Sequence, residues 1–155
     1  MNAKYLYYAL FVLVILTGCR TKAISYNRDK LIKKFKEYRI YLNNEKLINL
    51  DTFYLDKDNI DIAITNNQTN RLNIFQKDKE SKFSTLLDIV SFYQKEMNDN
   101  DSLTTIVDGI VIDGPIRKSL KIETTAIKEI NLLKKAELWG HLSHMGYGII
   151  LVVTK

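Results

Sequence analysis

Leu103-Thr104-Thr105-Ile106-Val107-Asp108-Gly109-Ile110-Val111-Ile112 decides the fold. Leu103 to Val107 is rich in β-branched residues, Asp108-Gly109 is a dipeptide that accepts positive φ at both positions, and Ile110 to Ile112 is β-branched again. That order predicts two antiparallel strands joined by a tight turn. A second turn is expected at Asp113-Gly114-Pro115, and Thr124 or Thr125 can cap a short helical turn containing Ile127. Ile130, Leu132 and Leu133 then read as a strand. Ile149-Ile150-Leu151-Val152-Val153 is an unbroken apolar run of the kind that lies centrally in a sheet, covered on both faces.

Upstream of the hairpin, Phe83, Leu86, Leu87, Val90, Tyr93 and Met97 fall on one face of a helix predicted over 81–97, with Ser81 as its N-cap. The polar string 98–102 lacks the central glycine and bidentate glutamate of a calcium loop, so no metal is expected there. Ile60, Ile62 and Ile64 alternate with polar residues, and Leu72 to Phe75 is apolar beyond the loop 66–70; both read as strands. The segment 50–58 reads as a turn or short helical stretch. Arg39 to Leu42 and Lys46 to Ile48 flank Asn43-Asn44-Glu45, a second hairpin signal, because Asn tolerates positive φ. Before it, Leu31, Phe35, Tyr38 and Leu42 recur at spacings of four, three and four, predicting an amphipathic helix from Asn27 that ends before Arg39. Its Lys30, Lys33, Lys34 and Lys36 form either a membrane-proximal basic face or an ordinary solvated face over a packing stripe. The fold expected is α+β: one small domain over residues 27–155 with a mixed, largely antiparallel sheet, two or three helices and a single core.

The first nineteen residues are of a different kind. Lys4 precedes twelve consecutive apolar residues, Tyr5 to Leu16, too few for the roughly 20 that span a bilayer. Leu16-Thr17-Gly18-Cys19 then resembles a bacterial lipobox. That resemblance implies a signal peptide over 1–18, a diacylglycerol on Cys19 as the sole non-protein group, and a lipidated tether over 19–26. Cys19 is the one cysteine of the chain, so it has no partner for a disulfide. Arg20 stands where an aspartate commonly retains lipoproteins at the inner membrane, which favours the outer membrane of the cell envelope.

The carboxyl-terminal third carries a second resemblance. Val107-Asp108-Gly109-Ile110, Ile127-Lys128-Glu129-Ile130 with Leu132-Leu133-Lys134, Trp139-Gly140, and Gly146-Tyr147-Gly148 through Thr154-Lys155 keep the order of a known pattern. They resemble the plug domain of TonB-dependent outer-membrane receptors over residues 103–155, with Val107, Asp108, Gly109, Gly146, Gly148, Thr154 and Lys155 as the motif positions. Trp139-Gly140 stands farther from Gly146 than is usual. In such receptors a large barrel follows the plug, whereas this sequence stops at Thr154-Lys155; no pore of its own is expected. Nor is there a TonB-box-like segment near the mature amino terminus, so energy-coupled transport by this chain is not expected. Tyr41-Leu42-Asn43-Asn44 through Leu55 to Ile60 and on to Leu72 to Lys77 echoes Val107-Asp108-Gly109 through Ile122 to Ile127 and on to Leu151 to Lys155, with a one-residue slip after Ile60. Two degenerate plug-like halves joined by the helix at 81–97 would account for it.

Catalytic constellations are sparse. His141 and His144 are three apart, but zinc needs three or four ligands; Ser143 has no nucleophile elbow; Asp56 with Asp58 falls in polar, turn-like surroundings that would leave both ionised. An enzyme is not expected. With 23 basic against 18 acidic side chains the formal charge is only +5, of which the signal accounts for Lys4, too small and dispersed for nucleic-acid binding. The two resemblances together imply a membrane-anchored protein working by contact with a TonB-dependent receptor or associated envelope protein. The alternative is capture of a small molecule or glycan by a tyrosine-rich surface.

Overall fold

The computed structural model describes residues 21–94, 103–134 and 148–155. The signal segment, Cys19, Arg20, the polar string 98–102, Trp139, the two histidines with Ser143, and Gly146 lie outside the described residues. The fold is α+β. Its strands are β1 (Thr21–Ile24), β2 (Arg39–Leu42), β3 (Lys46–Ile48), β4 (Phe53–Tyr54), β5 (Ile60–Asn66), β6 (Arg71–Gln76), β7 (Phe83–Thr85), β8 (Leu103–Val107), β9 (Ile110–Ile112), β10 (Lys121–Glu123), β11 (Ile127–Lys134) and β12 (Gly148–Thr154). Among the described residues three α-helices accompany them: α1 (Arg28–Lys34), α2 (Leu86–Gln94) and α3 (Gly114–Ser119).

The sheets have the orders β1-β5-β6-β2-β3, β4-β10-β7 and β11-β12-β8-β9. Without β1, the first and the last are the same sheet built twice. Each begins with a hairpin (β2/β3, β8/β9), whose first strand pairs in parallel with the last strand of its unit (β6, β12), which pairs antiparallel with the strand before it (β5, β11). Leu42 lies opposite Ile74 as Val107 lies opposite Val152. A β-bulge interrupts β5 between Ile60 and Ile62, and another interrupts β11 between Ile127 and Glu129. The internal echo in the sequence is thus a duplicated topology, each copy preceded by a helix and carrying a short strand and a 3₁₀ turn (Lys57–Asn59, Thr124–Ala126) in its middle. The expected slip after Ile60 is not there. Both copies hold the same bulge at that point, and they differ instead in the hairpin turn, where Leu42 pairs with Lys46 but Val107 with Ile110.

Each copy has its own core, which corrects the expectation of a single one. Leu31, Phe35, Leu42, Leu50, Leu72 and Ile74 pack in the first; Leu86, Val107, Leu120, Ile122, Ile150 and Val152 pack in the second. Strand β4 joins them, because successive side chains on a strand point to opposite faces: Phe53 enters the first core and Tyr54 the second. It pairs in parallel with β10, so the two copies share a sheet.

Several boundaries differ from the sequence reading for identifiable reasons. Residues 21–24, expected within a tether, form β1 and pair antiparallel with β5 from Thr21–Asn66 to Ile24–Ala63. Helix α1 starts where expected, with the Asn27 side chain accepting from the Lys30 N–H at 3.0 Å, but its last residue is Lys34. Tyr38 and Leu42 match the helical spacing only by coincidence, since β2 is drawn into pairing with β3 and β6. The predicted helix 81–97 is a strand followed by a helix. Thr85 and Asp88 exchange hydrogen bonds, Asp88 N–H to Thr85 Oγ1 at 3.1 Å and Thr85 N–H to Asp88 Oδ2 at 3.2 Å. This capping box starts α2 at Leu86. Ser81 instead accepts from Gln76. Asp113-Gly114-Pro115 does not simply turn; it opens α3, where proline at the first helical turn has no N–H to leave unpaired. The bulge in β5 turns Ile62 outward and Ala63 inward, so Ile60, Ile62 and Ile64 do not share one face.

Candidate functional site

The tip of the β8/β9 hairpin has Asp108 at φ 48° and Gly109 at φ 82°. These are the two positive values that an Asp-Gly hairpin turn demands. This conformation turns the Asp108 carboxylate back onto the end of β12. Its Oδ1 accepts from the Thr154 N–H at 2.7 Å and its Oδ2 from the Thr154 hydroxyl at 2.6 Å, while the Asp108 N–H donates to Val152 O at 3.0 Å. Val107, fully buried, pairs with Val152 immediately below. Thus Asp108 and Thr154, 46 residues apart, form one clasp. Gly148 lies at the opposite end of β12, across from Leu103 and Lys134, and takes no part in it.

The first copy makes the same clasp with amides. Asn43, at φ 52°, donates its N–H to Ile74 O at 2.8 Å, accepts the Gln76 N–H at 2.9 Å and donates Nδ2 to Gln76 Oε1 at 3.0 Å. Each clasp is tied to the other copy, the first through Gln76 itself and the second through Lys155, the residue after Thr154. Gln76 Nε2 donates to Glu123 Oε1 at 2.9 Å, and Lys155 Nζ donates to Asp56 Oδ2 at 3.2 Å. Asp56 and Glu123 hold equivalent places, each immediately before the 3₁₀ turn of its copy, and are 3% and 0% exposed. They are themselves linked: Glu123 Oε2 accepts the Asp56 N–H at 2.7 Å, and Oε1 also accepts Asn59 Nδ2 at 2.5 Å. Burial pushes the Asp56 carboxyl up, but hydrogen bonds from the Asp58 N–H, Lys155 and Thr125, with the Lys155 charge, outweigh it and hold the group below its ordinary range.

Asp56 stands at a turn with its carboxyl held low, as the sequence suggested, but it is buried and ties the two copies together. Its role was not read from the sequence. The available signal was the internal echo, which sets Asp56 against Glu123.

Lys30, Lys33 and Lys34 are exposed on α1 and Lys36 just beyond it, while Leu31 and Phe35 turn into the core. The four do not join the clasp. Beside the clasp, Arg28 stacks on Tyr54 at 3.8 Å and donates to Asp51 O at 3.1 Å, forming one wall of a shallow cleft of about 230 Å³ with Asp108, Thr154 and Lys155. Among the described residues no group of three or more His, Cys, Asp or Glu could hold a metal ion, and no helix is long and apolar enough to cross a membrane. Comparison with protein-family models, curated proteins and solved structures finds no match.

Asp108→Ala removes both carboxylate bonds to Thr154, and is expected to cost about 1–2 kcal/mol, since the pair is exposed and partly replaced by water. Gly109→Ala should cost about 1 kcal/mol from its backbone angle alone. A Cβ there would meet nothing within 4 Å. Urea denaturation of both variants checks the order; an Asp108→Ala protein as stable as the parent would show that the clasp contributes nothing to the fold.

Proposed function

We propose that the protein is a lipid-anchored, non-enzymatic component of the bacterial cell envelope, held by a diacylglycerol on Cys19 and acting through its plug-like copies by contact with outer-membrane transport machinery. A TonB-dependent receptor or an associated protein is the partner. The observation that carries this reading is the clasp between Val107-Asp108-Gly109 and Thr154-Lys155, which gives a physical reason for two separated motifs to occur together in the plug order. The lipobox-like Leu16-Thr17-Gly18-Cys19 supports the anchor. The absence of bond-making is supported by the occupation of the carboxylates: Asp56, Asp108 and Glu123 are each committed to structural hydrogen bonds.

We propose the hairpin's outer edge as the contact surface. Ile110 and Val111 of β9 are 58% and 52% exposed on the last strand of their sheet. There a partner can add backbone pairing as well as apolar burial. A photo-crosslinker at Val111 in intact envelopes tests this. An adduct with a receptor or a protein of its complex is expected, and adducts confined to other proteins, or none, would contradict the reading.

A further inference from the structure

The duplication supplies an internal control for the outer faces of the two sheets. On the side of β12 and its neighbours away from the second core, Leu133, Ile149, Ile106 and Leu151 are aliphatic, with Ile149 buried and the other three half-buried; the equivalent positions in the first copy are Asn66, Arg71, Tyr41 and Asn73. Arg39, equivalent to Thr104, lies directly opposite Arg71 across the parallel β2/β6 pair. Like charges facing each other on neighbouring strands destabilise a sheet unless something negative sits between them. Among the described residues, no carboxylate lines the cavity of about 550 Å³ above this pair.

The polar groups around it are fixed so that they present donors. Arg71 lies flat on the Tyr41 ring at 3.9 Å, its Nε donates to Asn73 Oδ1 at 2.8 Å and its Nη2 to Asn44 O at 3.2 Å, leaving Nη1 without a partner among the described residues. Asn73 has thereby committed its oxygen and keeps its amide N–H groups. Asn66 is in the same state, its Oδ1 accepting the N–H groups of Gln68 and Thr69 at 3.0 and 3.2 Å. Two guanidiniums and two amide nitrogens thus line one side of a cavity open to solvent. Such a set recognises a ligand that is negative at one point and rich in acceptor oxygens around it.

We infer that this face binds an acidic saccharide of one or two sugar units, its carboxylate or phosphate between Arg39 and Arg71 and its hydroxyl and ring oxygens on Asn66 and Asn73. The volume lies in the usual range for small-ligand sites, roughly 300–1,000 Å³. The inference is independent of the plug-like reading, since it uses neither the clasp nor the lipid.

Titration calorimetry on the full chain in detergent tests it with four probes: digalacturonate, glucose 1-phosphate, a neutral disaccharide and inorganic phosphate. One or both acidic sugars should bind at least about tenfold more tightly than the neutral one and than phosphate, and Arg39→Ala or Arg71→Lys should each weaken that binding by about tenfold or more, since a lysine cannot hold Asn73 and Asn44 and still present an N–H to the ligand as the guanidinium does. Which of the two acidic sugars binds separates a carboxylate from a phosphate ligand. Arg39→Ala has no side-chain bond to lose among the described residues, so its melting temperature should equal or exceed the parent's, which separates lost binding from lost folding. No binding of either acidic sugar, equal binding of the neutral disaccharide, or phosphate binding as tightly as the sugar phosphate would overturn the assignment.

Discussion

Glu123→Ala is expected to lower the melting temperature by about 10–20 °C, corresponding to roughly 3–5 kcal/mol. The carboxylate is fully buried and accepts three hydrogen bonds, from the Asp56 N–H, Asn59 and Gln76. Truncation leaves the Asp56 N–H without its acceptor and Asn59 and Gln76 with only Asp78 O and Ser81 Oγ, and the loss is larger than that of the bonds alone because the donors were desolvated to reach Glu123. Glu123→Gln is the informative comparison. It retains the shape and one acceptor but turns an amide toward donors, and a loss of about 1–2 kcal/mol is expected. Thermal denaturation followed by circular dichroism measures both. Because Glu123 ties the copies together, the fall should be shared by both cores in a single transition; a Glu123→Ala protein that melts within about 3 °C of the parent would show that the tie contributes little.

This tie was the part of the molecule least legible in the sequence. Its bonds link residues 67 and 99 positions apart, and none of the partners stands out by type, since a glutamate, a glutamine and an aspartate in polar stretches all read as surface. The hairpins were legible for the opposite reason. Asp108-Gly109 and Asn43-Asn44 carry their backbone requirement in their own chemistry, and positive φ occurs at all four. The run Ile149 to Val153 was likewise readable as a central strand: β12 lies between β11 and β8, with Ile149, Ile150 and Val152 buried and Leu151 and Val153 half-buried. Helix limits failed where tertiary pairing competed with periodicity. Phe83 kept the right spacing for a helix but pairs as a strand opposite Glu123, and Thr85 with Asp88 set the helix start that Ser81 had been expected to set. The edge strand β1 escaped notice because four residues, Thr21 to Ile24, carry too little pattern to distinguish a strand from a spacer.

Cys19→Ser is expected to abolish palmitate labelling and to move the protein from the membrane fraction to the soluble one. The size of that effect follows from the anchor itself. At about 0.8 kcal/mol per buried methylene, one acyl chain binds marginally while two or three bind in effect permanently. The exposed lysines of α1 would add about 1 kcal/mol each only where they lie close to an anionic surface, too little to replace the anchor. Fractionation of cells expressing the variant reads the outcome directly. A Cys19→Ser protein that stays with the membrane after a high-salt wash would mean that something other than the lipid holds it there.

β1 changes what the anchor does to the domain. Thr21 is only two residues from Cys19 and pairs with Asn66, so in the proposed anchored state a lipid on Cys19 would lie close to the first sheet. The outer face of that sheet, with Arg39 and Arg71, therefore stands near the membrane surface in the proposed anchored state.

The most direct test of the proposed anchoring is the mass of the amino-terminal peptide of the protein purified from its native envelope. The expected peptide begins at Cys19 and carries a thioether-linked diacylglycerol. A peptide retaining residues before Cys19, or a Cys19 whose thiol is unmodified, would contradict it.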